Sequence, residues 1–325
     1  MNSDNKVKFF AETMGLAPLN KRIQQSLVIF RGEEDVPKSK FGLSSLKLLH
    51  PKIGIPFWRG KEVIPRKVIL TQLFNHKQTP PEQGWSVKKT QVKDYRNKEL
   101  TYNSHNGTDL SIPIGTTLLA AAPGEVVGIK SEFNRGGLKL IIDHGQGLMT
   151  CSVHLARTLV KVGDIVKRGQ PVAITGYSGF DGFISFPFGV PHVHYNIWLN
   201  GIPVDPFSVG DEVSLWKNQN DPIPHRSSTQ SEEFIPSIYS EEKVNEAIED
   251  CKTKKIRDYL NSIDDLKIKA AETIMEMNYY PTRFTERKNV YQKEHPRKPI
   301  LDLPFFEKDY DGVVYLDELN FSSKG

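Results

Sequence analysis

Between residues 88 and 215 the apolar positions come in short runs separated by glycine. Runs 117–121, 125–129, 138–143 and 148–153 are rich in Val, Ile and Leu, and Pro123-Gly124, Gly136-Gly137 and His144-Gly145-Gln146-Gly147 punctuate them. Short strands at close spacing with glycine turns predict a mainly β core, an antiparallel sandwich or barrel. Runs 138–143 and 148–153, with the turn between them, predict a hairpin. At 192–199 the alternation is strict: Val193, Tyr195, Ile197 and Leu199 interleave with His192, His194, Asn196 and Trp198. Residues two apart in a strand share a face, so the first set should pack into a core while both imidazoles leave the other face together.

Outside that zone the period changes. Val244, Ile248 and Cys251 fall at helical spacing with charges between them, which predicts an α-helical segment over 240–280, closed by Pro281. Ser262, with Asp265 three residues on, reads as an N-cap with an acid in the first turn, so two helices should meet near 261. Residues 1–87 form a mixed N-terminal region of unassigned role, with apolar runs at 28–30 and 68–74 and tandem prolines at Pro80-Pro81. Residues 88–215 are the β domain, 216–239 a polar linker or long surface loop, and 281–325 an extended tail whose final residues are expected to be disordered. No internal repeat is present.

A chain of 325 residues allows about two domains, or one decorated core, and can bury a full core without staples. Its 43 basic against 39 acidic residues leave a charge of +4, too small a surplus for a dedicated nucleic-acid binder. Cys151 and Cys251 cannot build a disulfide framework or a four-thiolate zinc site and are expected as free buried thiols. No stretch approaches ~18 consecutive apolar residues, so no transmembrane segment is expected. The N-terminal residues lack a secretory signal, which predicts a cytoplasmic protein or export to the periplasm or exterior by a non-Sec route. The sequence carries no signal for an oligomeric state.

The chemistry concentrates in three features. His105 and Asp109 are four apart, but Gly107 and the nearby Pro113 argue against a helix; a turn through Asn106-Gly107 into a strand would fold the carboxylate back toward the imidazole. The strand at 192–199 adds two more imidazoles. His, Asp and His supply three N/O donors, the count a catalytic zinc takes while one position stays open for water. A structural zinc would want four protein ligands. His154 closes a β-rich run, and with His192 it offers two imidazoles able to hydrogen-bond a bound water or an oxyanion near neutral pH. His50, His76, His225 and His295 lie in loop-like or basic surroundings with no site role, and His144 reads as a turn residue.

Taken in order, His105-x-Gly107-x-Asp109, Pro113-x-Gly115-Thr116, Ala121-Ala122-Pro123-Gly124-Glu125, His154-Leu155, Val162-Gly163-Asp164-x-Val166 with Gly169-Gln170, and Pro191-His192-x-His194 resemble the LytM/lysostaphin-type zinc metallopeptidases over about residues 88–208. The resemblance implies a small antiparallel sheet of duplicated-hybrid-motif type with a narrow groove. It implies a Zn²⁺ cofactor on His105, Asp109 and His194, His154 and His192 as the catalytic pair, and endopeptidase action on peptidoglycan stem peptides or cross-bridges. Asn134, Arg135, Tyr177 and Phe186 are the candidate substrate contacts. Two departures stand out. Ser152 replaces the tyrosine commonly found two residues before the catalytic His-Leu, and an aromatic insertion over 177–188 replaces a short polar link, as either a groove lid or a local satellite core. Two other classes fit parts of the pattern: a zinc-bearing but inactive peptidoglycan-binding or amidase-activating scaffold, and a lipoyl-like carrier module. The carrier would need a lysine at the hairpin tip, where His144-Gly145-Gln146-Gly147 has none.

Overall fold

The computed structural model describes residues 3–226 and 232–319. Helices α1 (Ser3–Met14), α2 (Leu19–Arg31) and α3 (Pro51–Trp58) precede strand β1 (Lys67–Gln72). The β-rich zone then supplies β2 (Thr108–Ser111), β3 (Thr117–Leu119), β4 (Gly124–Glu132), β5 (Gly137–Asp143), β6 (Leu148–Thr158), β7 (Ile165–Val166) and β8 (Pro171–Thr175). The short helix α4 (Phe180–Ser185) leads to β9 (His192–Leu199) and β10 (Ile202–Pro203). Helices α5 (Glu241–Glu249), α6 (Lys254–Asn261) and α7 (Leu266–Tyr279) follow, and β11 (Gly312–Tyr315) comes near the end.

The strands form one eleven-stranded sheet whose main path runs β11-β1-β2-β9-β6-β5-β4-β7, with β8 on β6, β3 on β8 and β10 on β9. The predicted hairpin is β5 and β6, antiparallel with Ile141 opposite Cys151 and Asp143 opposite Met149. One edge is built from outside the β-rich zone: β1 pairs antiparallel with β2, and β11 lies parallel to β1 with Lys67 opposite Gly312. The mainly β core with C-terminal helices matches the expected fold class.

Both faces of the sheet are covered. Val193, Tyr195, Ile197 and Leu199 of β9 enter a core with Leu140, Ile142, Leu155, Trp216 and Leu303. The opposite face sends Ile141, Met149, Cys151, Val153 and Trp198 into a second core with Ile248, Leu260, Ile274 and Met275 of the C-terminal helices. Trp198, which shares its face with the two histidines, therefore lies under helices at one end of the strand while the imidazoles occupy the other. Within the predicted linker, Trp216 pairs with Leu301, Pro224 with Leu303 and Tyr239 with Tyr291. The two cysteines are free and buried. Among the described residues no helix is long and apolar enough to cross a membrane. The final residues, expected to be disordered, lie outside the described residues from 320 onward.

The helix junction differs in detail from the sequence reading. Ser262 ends α6 with right-handed helical backbone, and Asp265 is the N-cap of α7, its carboxylate accepting from the Ile268 N–H at 3.0 Å. As a cap the carboxylate also meets the positive end of the helix dipole.

His144 is a buried turn residue. Its Nδ1–H donates to the Pro123 carbonyl at 3.0 Å, and Nε2 accepts from the Thr150 hydroxyl at 2.9 Å. Burial pushes its pKa down to about 4, whereas the unfolded chain takes a proton near 6.5. The unfolded state therefore gains the proton first as pH falls. The stability this neutral imidazole confers is complete above pH 6.5 and is lost on the way down to about 4, at most about 3 kcal/mol over that window. Urea unfolding at pH 7 and pH 4.5 should show His144→Asn losing less stability on acidification than the wild type. Equal losses would contradict the assignment.

Candidate metal centre and groove

The turn through Asn106 and Gly107 delivers Asp109 onto β2, directly opposite His194 of β9. Strand pairing thus brings together residues 85 apart in the chain. Gly107 makes the approach feasible: a Cβ there would sit 2.9 Å from His194 Nε2 and 2.9 Å from the Tyr195 carbonyl oxygen. The three candidate ligands converge closely. His105 Nε2 and Asp109 Oδ1 are 3.0 Å apart, His105 Nε2 and His194 Nδ1 3.0 Å, and His194 Nδ1 and Asp109 Oδ1 2.9 Å. They form the one His/Cys/Asp/Glu group of metal-binding geometry among the described residues, and all three are buried.

The other nitrogen of each imidazole is occupied. His105 Nδ1–H donates to the Leu73 carbonyl at 2.6 Å, and His194 Nε2–H donates to the Asn106 side-chain oxygen at 3.3 Å. Both rings therefore turn a lone pair toward the Asp109 carboxylate. Three acceptors facing one another at this spacing have no proton to share, and a cation is what satisfies them. Arms of ~2.0–2.1 Å from such a triangle suit zinc, and two imidazoles with one carboxylate are a zinc donor set with room for a fourth ligand. Burial alone would raise the Asp109 carboxyl, yet the imidazoles of His105, His192 and His194 around it hold it well below the usual range. Burial pushes His194 down to about 4.

His154 and His192, the pair expected in catalysis, border this triangle. Their ring centres are 4.9 Å apart, and His192 Nε2 is 3.5 Å from Asp109 Oδ1. Their Nδ1–H groups donate to carbonyls in and just beyond the aromatic insertion, His154 to Ser178 at 2.8 Å and His192 to Val190 at 2.7 Å. Each therefore keeps an unprotonated Nε2. Burial and the neighbouring His192 hold His154 well below its usual range. His154 also has φ +64°, a left-handed backbone that a non-glycine residue rarely adopts. It sits where the β5–β6 register shifts, at a bulge that re-aims the side chain.

A cavity of about 450 Å³ opens against Asp109, His154 and His192. Its far wall comes from the N-terminal region, with Phe30, Phe41, Leu46 and Leu49, and from Tyr177 and Ile184 of the insertion. Tyr177 lies 5.1 Å from the His154 ring and 4.8 Å from the His192 ring, beside the pair that Ser152 cannot serve from within β6. Asn134 and Arg135 line a smaller space that reaches His154 and His194. Phe186 does not join them; it packs edge-on against Phe10 and Trp58. The insertion also makes a satellite core, Phe180 meeting Ile29 and Phe133. It is therefore both a groove wall and a local core.

Sequence reasoning missed the relay behind His194. The Tyr279 hydroxyl donates to Asn196 Oδ1 at 2.8 Å, and Asn196 Nδ2 donates to Asn106 at its carbonyl (2.9 Å) and side-chain oxygen (3.0 Å). Asn106 in turn orients His194. The C-terminal helix α7 thus braces the metal centre. Only the shared face of His194 and Asn196 could have signalled the nearer half. Tyr279→Phe removes the first hydrogen bond and keeps the ring, so zinc affinity in a chelator competition should fall by up to ~10-fold with the fold intact. Unchanged affinity would leave Tyr279 a packing residue.

The structure thus joins a β-sheet groove, a donor triangle and two flanking histidines at one place. Residues 103–206 match Peptidase family M23. A protein described as an uncharacterized metalloprotease of Haemophilus influenzae is 33% identical over 105 residues, 32% of this chain and 21% of its own length. Peptidoglycan DD-endopeptidase ShyA of Vibrio cholerae is 37% identical over 101 residues, 31% of this chain and 22% of its own. The solved catalytic domain of the antimicrobial peptidase lysostaphin from Staphylococcus simulans is 28% identical, covering 32% of this chain and 77% of that one, at a TM-score of 0.28. The chain thus spans about a fifth of the length of these two curated relatives.

Proposed function

We propose that this chain is a zinc metalloendopeptidase that hydrolyses peptide bonds in peptidoglycan stem peptides or cross-bridges. The observation that carries the reading is the convergence of His105 Nε2, His194 Nδ1 and Asp109 Oδ1 within 2.9–3.0 Å, each imidazole committed by its other nitrogen. The name of the relative ShyA supports peptidoglycan as the substrate. Zinc on His105, Asp109 and His194 would supply Lewis acidity, lowering the pKa of water toward ~7 and polarising the scissile carbonyl. His154 and His192, each with Nδ1–H anchored on a carbonyl, present Nε2 lone pairs to the attacking water. They take its proton as oxygen adds to the carbonyl carbon, steady the tetrahedral oxyanion, and return the proton to the amine nitrogen as the C–N bond breaks. Burial keeps the Tyr102 and Tyr177 hydroxyls protonated, so each lines the groove as an O–H donor.

Mass spectrometry of purified muropeptides incubated with the protein, with and without a strong chelator, tests this directly. Expected is cleavage of cross-linked or stem-peptide species, stopped by chelator and restored by zinc. Zinc binding without any cleavage would instead establish a scaffold, and cleavage indifferent to chelator would overturn the metal assignment.

A further inference from the structure

Most of the protein's inward-turned arginines are satisfied. Arg96 pairs with Asp94 and Asp317, Arg168 with Asp302 and Glu232, and Arg283 with Glu276. Arg22 donates to the carbonyls of Ala17 and Ser131 and to the Ser131 hydroxyl. Arg135 is different. It sits in the turn between β4 and β5, and among the described residues its guanidinium has no hydrogen bond and no ion pair. Its Nε is buried without a partner. Its nearest identified company is aromatic, with the guanidinium carbon 5.7 Å from the ring centres of Trp85 and of Tyr280. Asp181 shares the neighbouring space but lies beyond ion-pair distance.

Position turns this deficit into a site. One space lined by Arg135 also holds His154, His194, Tyr102 and Asn134. A second holds Arg135 with Trp85, Ser104 and Asn106, the residue that orients His194. A fork of unused N–H donors is thus held by rings on the rim of the metal centre. Leaving a half-buried cation unpaired is costly, and a bidentate carboxylate is the ligand that best repays it. Lysine could supply the charge but not the planar fork.

We infer that Arg135 is a carboxylate-binding subsite, so that the preferred substrates are peptides with a free carboxylate close to the scissile bond. The inference rests on the hydrolase reading above and narrows its substrate class. Such a contact made to substrate is worth a factor of roughly 10–100 in affinity.

The test uses cross-linked stem peptides in two forms, with free carboxylates and with the same groups converted to primary amides. Wild-type kcat/KM should favour the acid form by roughly 10–100-fold, and R135Q should bring the acid form down to the level of the amide form. R135K should keep part of the preference. Zinc content of each variant reports that the centre is still formed. Calorimetric titration of both peptides into the zinc-loaded His154→Asn protein, with and without R135Q, reads binding independently of turnover. An acid preference in binding that R135Q removes supports the subsite even where no cleavage occurs, in which case the hydrolase reading alone fails. Equal binding of acid and amide, or an equal loss of both in R135Q, overturns the subsite and leaves the hydrolase reading standing.

Discussion

His194→Ala is expected to abolish zinc retention and hydrolysis together. His194 is the ligand that strand pairing brings in from far along the chain, standing opposite Asp109 across β2 and β9. Removing it leaves His105 and Asp109, four residues apart around one turn, as a two-donor site. Such a site no longer fixes tetrahedral coordination or excludes competing waters. Without the ion, water returns to its bulk acidity and the scissile carbonyl loses its Lewis acid, a loss of several kcal/mol in the transition state. At ~1.4 kcal/mol per factor of ten, kcat/KM should fall by at least ~10³-fold. Elemental analysis after dialysis should find well under one zinc per chain, while circular dichroism stays close to the wild type. The sheet survives because Val193 and Tyr195 on the other face of β9 carry the core contacts. A variant that kept a full equivalent of zinc, or turned over at the wild-type rate in chelator, would sink the ligand assignment.

Much of this centre was legible because the signals are local. Alternation over 192–199 placed His192 and His194 on one face and the apolar set in a core, since strand geometry alone dictates it. Gly107 excluded a helix between His105 and Asp109, and the chain does turn there into β2. Other features depend on contacts that no local pattern encodes. Tyr279 reaches Asn196 from 83 residues away, and nothing in the periodicity of α7 says which side chain will meet the sheet. The groove wall of Phe30, Phe41 and Leu46 comes from a region whose short apolar runs look like ordinary core. Phe186 looked like a groove residue because aromatics cluster there, yet Phe10 and Trp58 offered it a closer partner. The left-handed backbone of His154 was equally hidden, because a bulge is set by the register of two neighbouring strands rather than by the residue itself.

That backbone makes His154 the residue where chemistry can be removed with little harm to structure. His154→Asn is expected to retain zinc, keep the fold and lower kcat by ~10²–10⁴-fold, the usual worth of a positioned acid–base group. Asparagine tolerates the left-handed region better than other non-glycine residues, so the φ of +64° that the bulge imposes adds little strain on substitution. The backbone N–H keeps its bond to the Gly136 carbonyl at 3.0 Å. What is lost is the ring whose Nδ1–H rests on Ser178 and whose Nε2 faces the same space as His192. The shorter amide cannot reach that space and cannot carry a proton at neutral pH. Because His154 supplies none of the converging donor atoms, zinc content should equal that of the wild type, unlike His194→Ala. KM should move little, since the loss falls on the transition state rather than on ground-state binding. Zinc loss in the asparagine variant would recast His154 as a ligand-orienting residue, and undiminished turnover would leave the acid–base work to His192 alone.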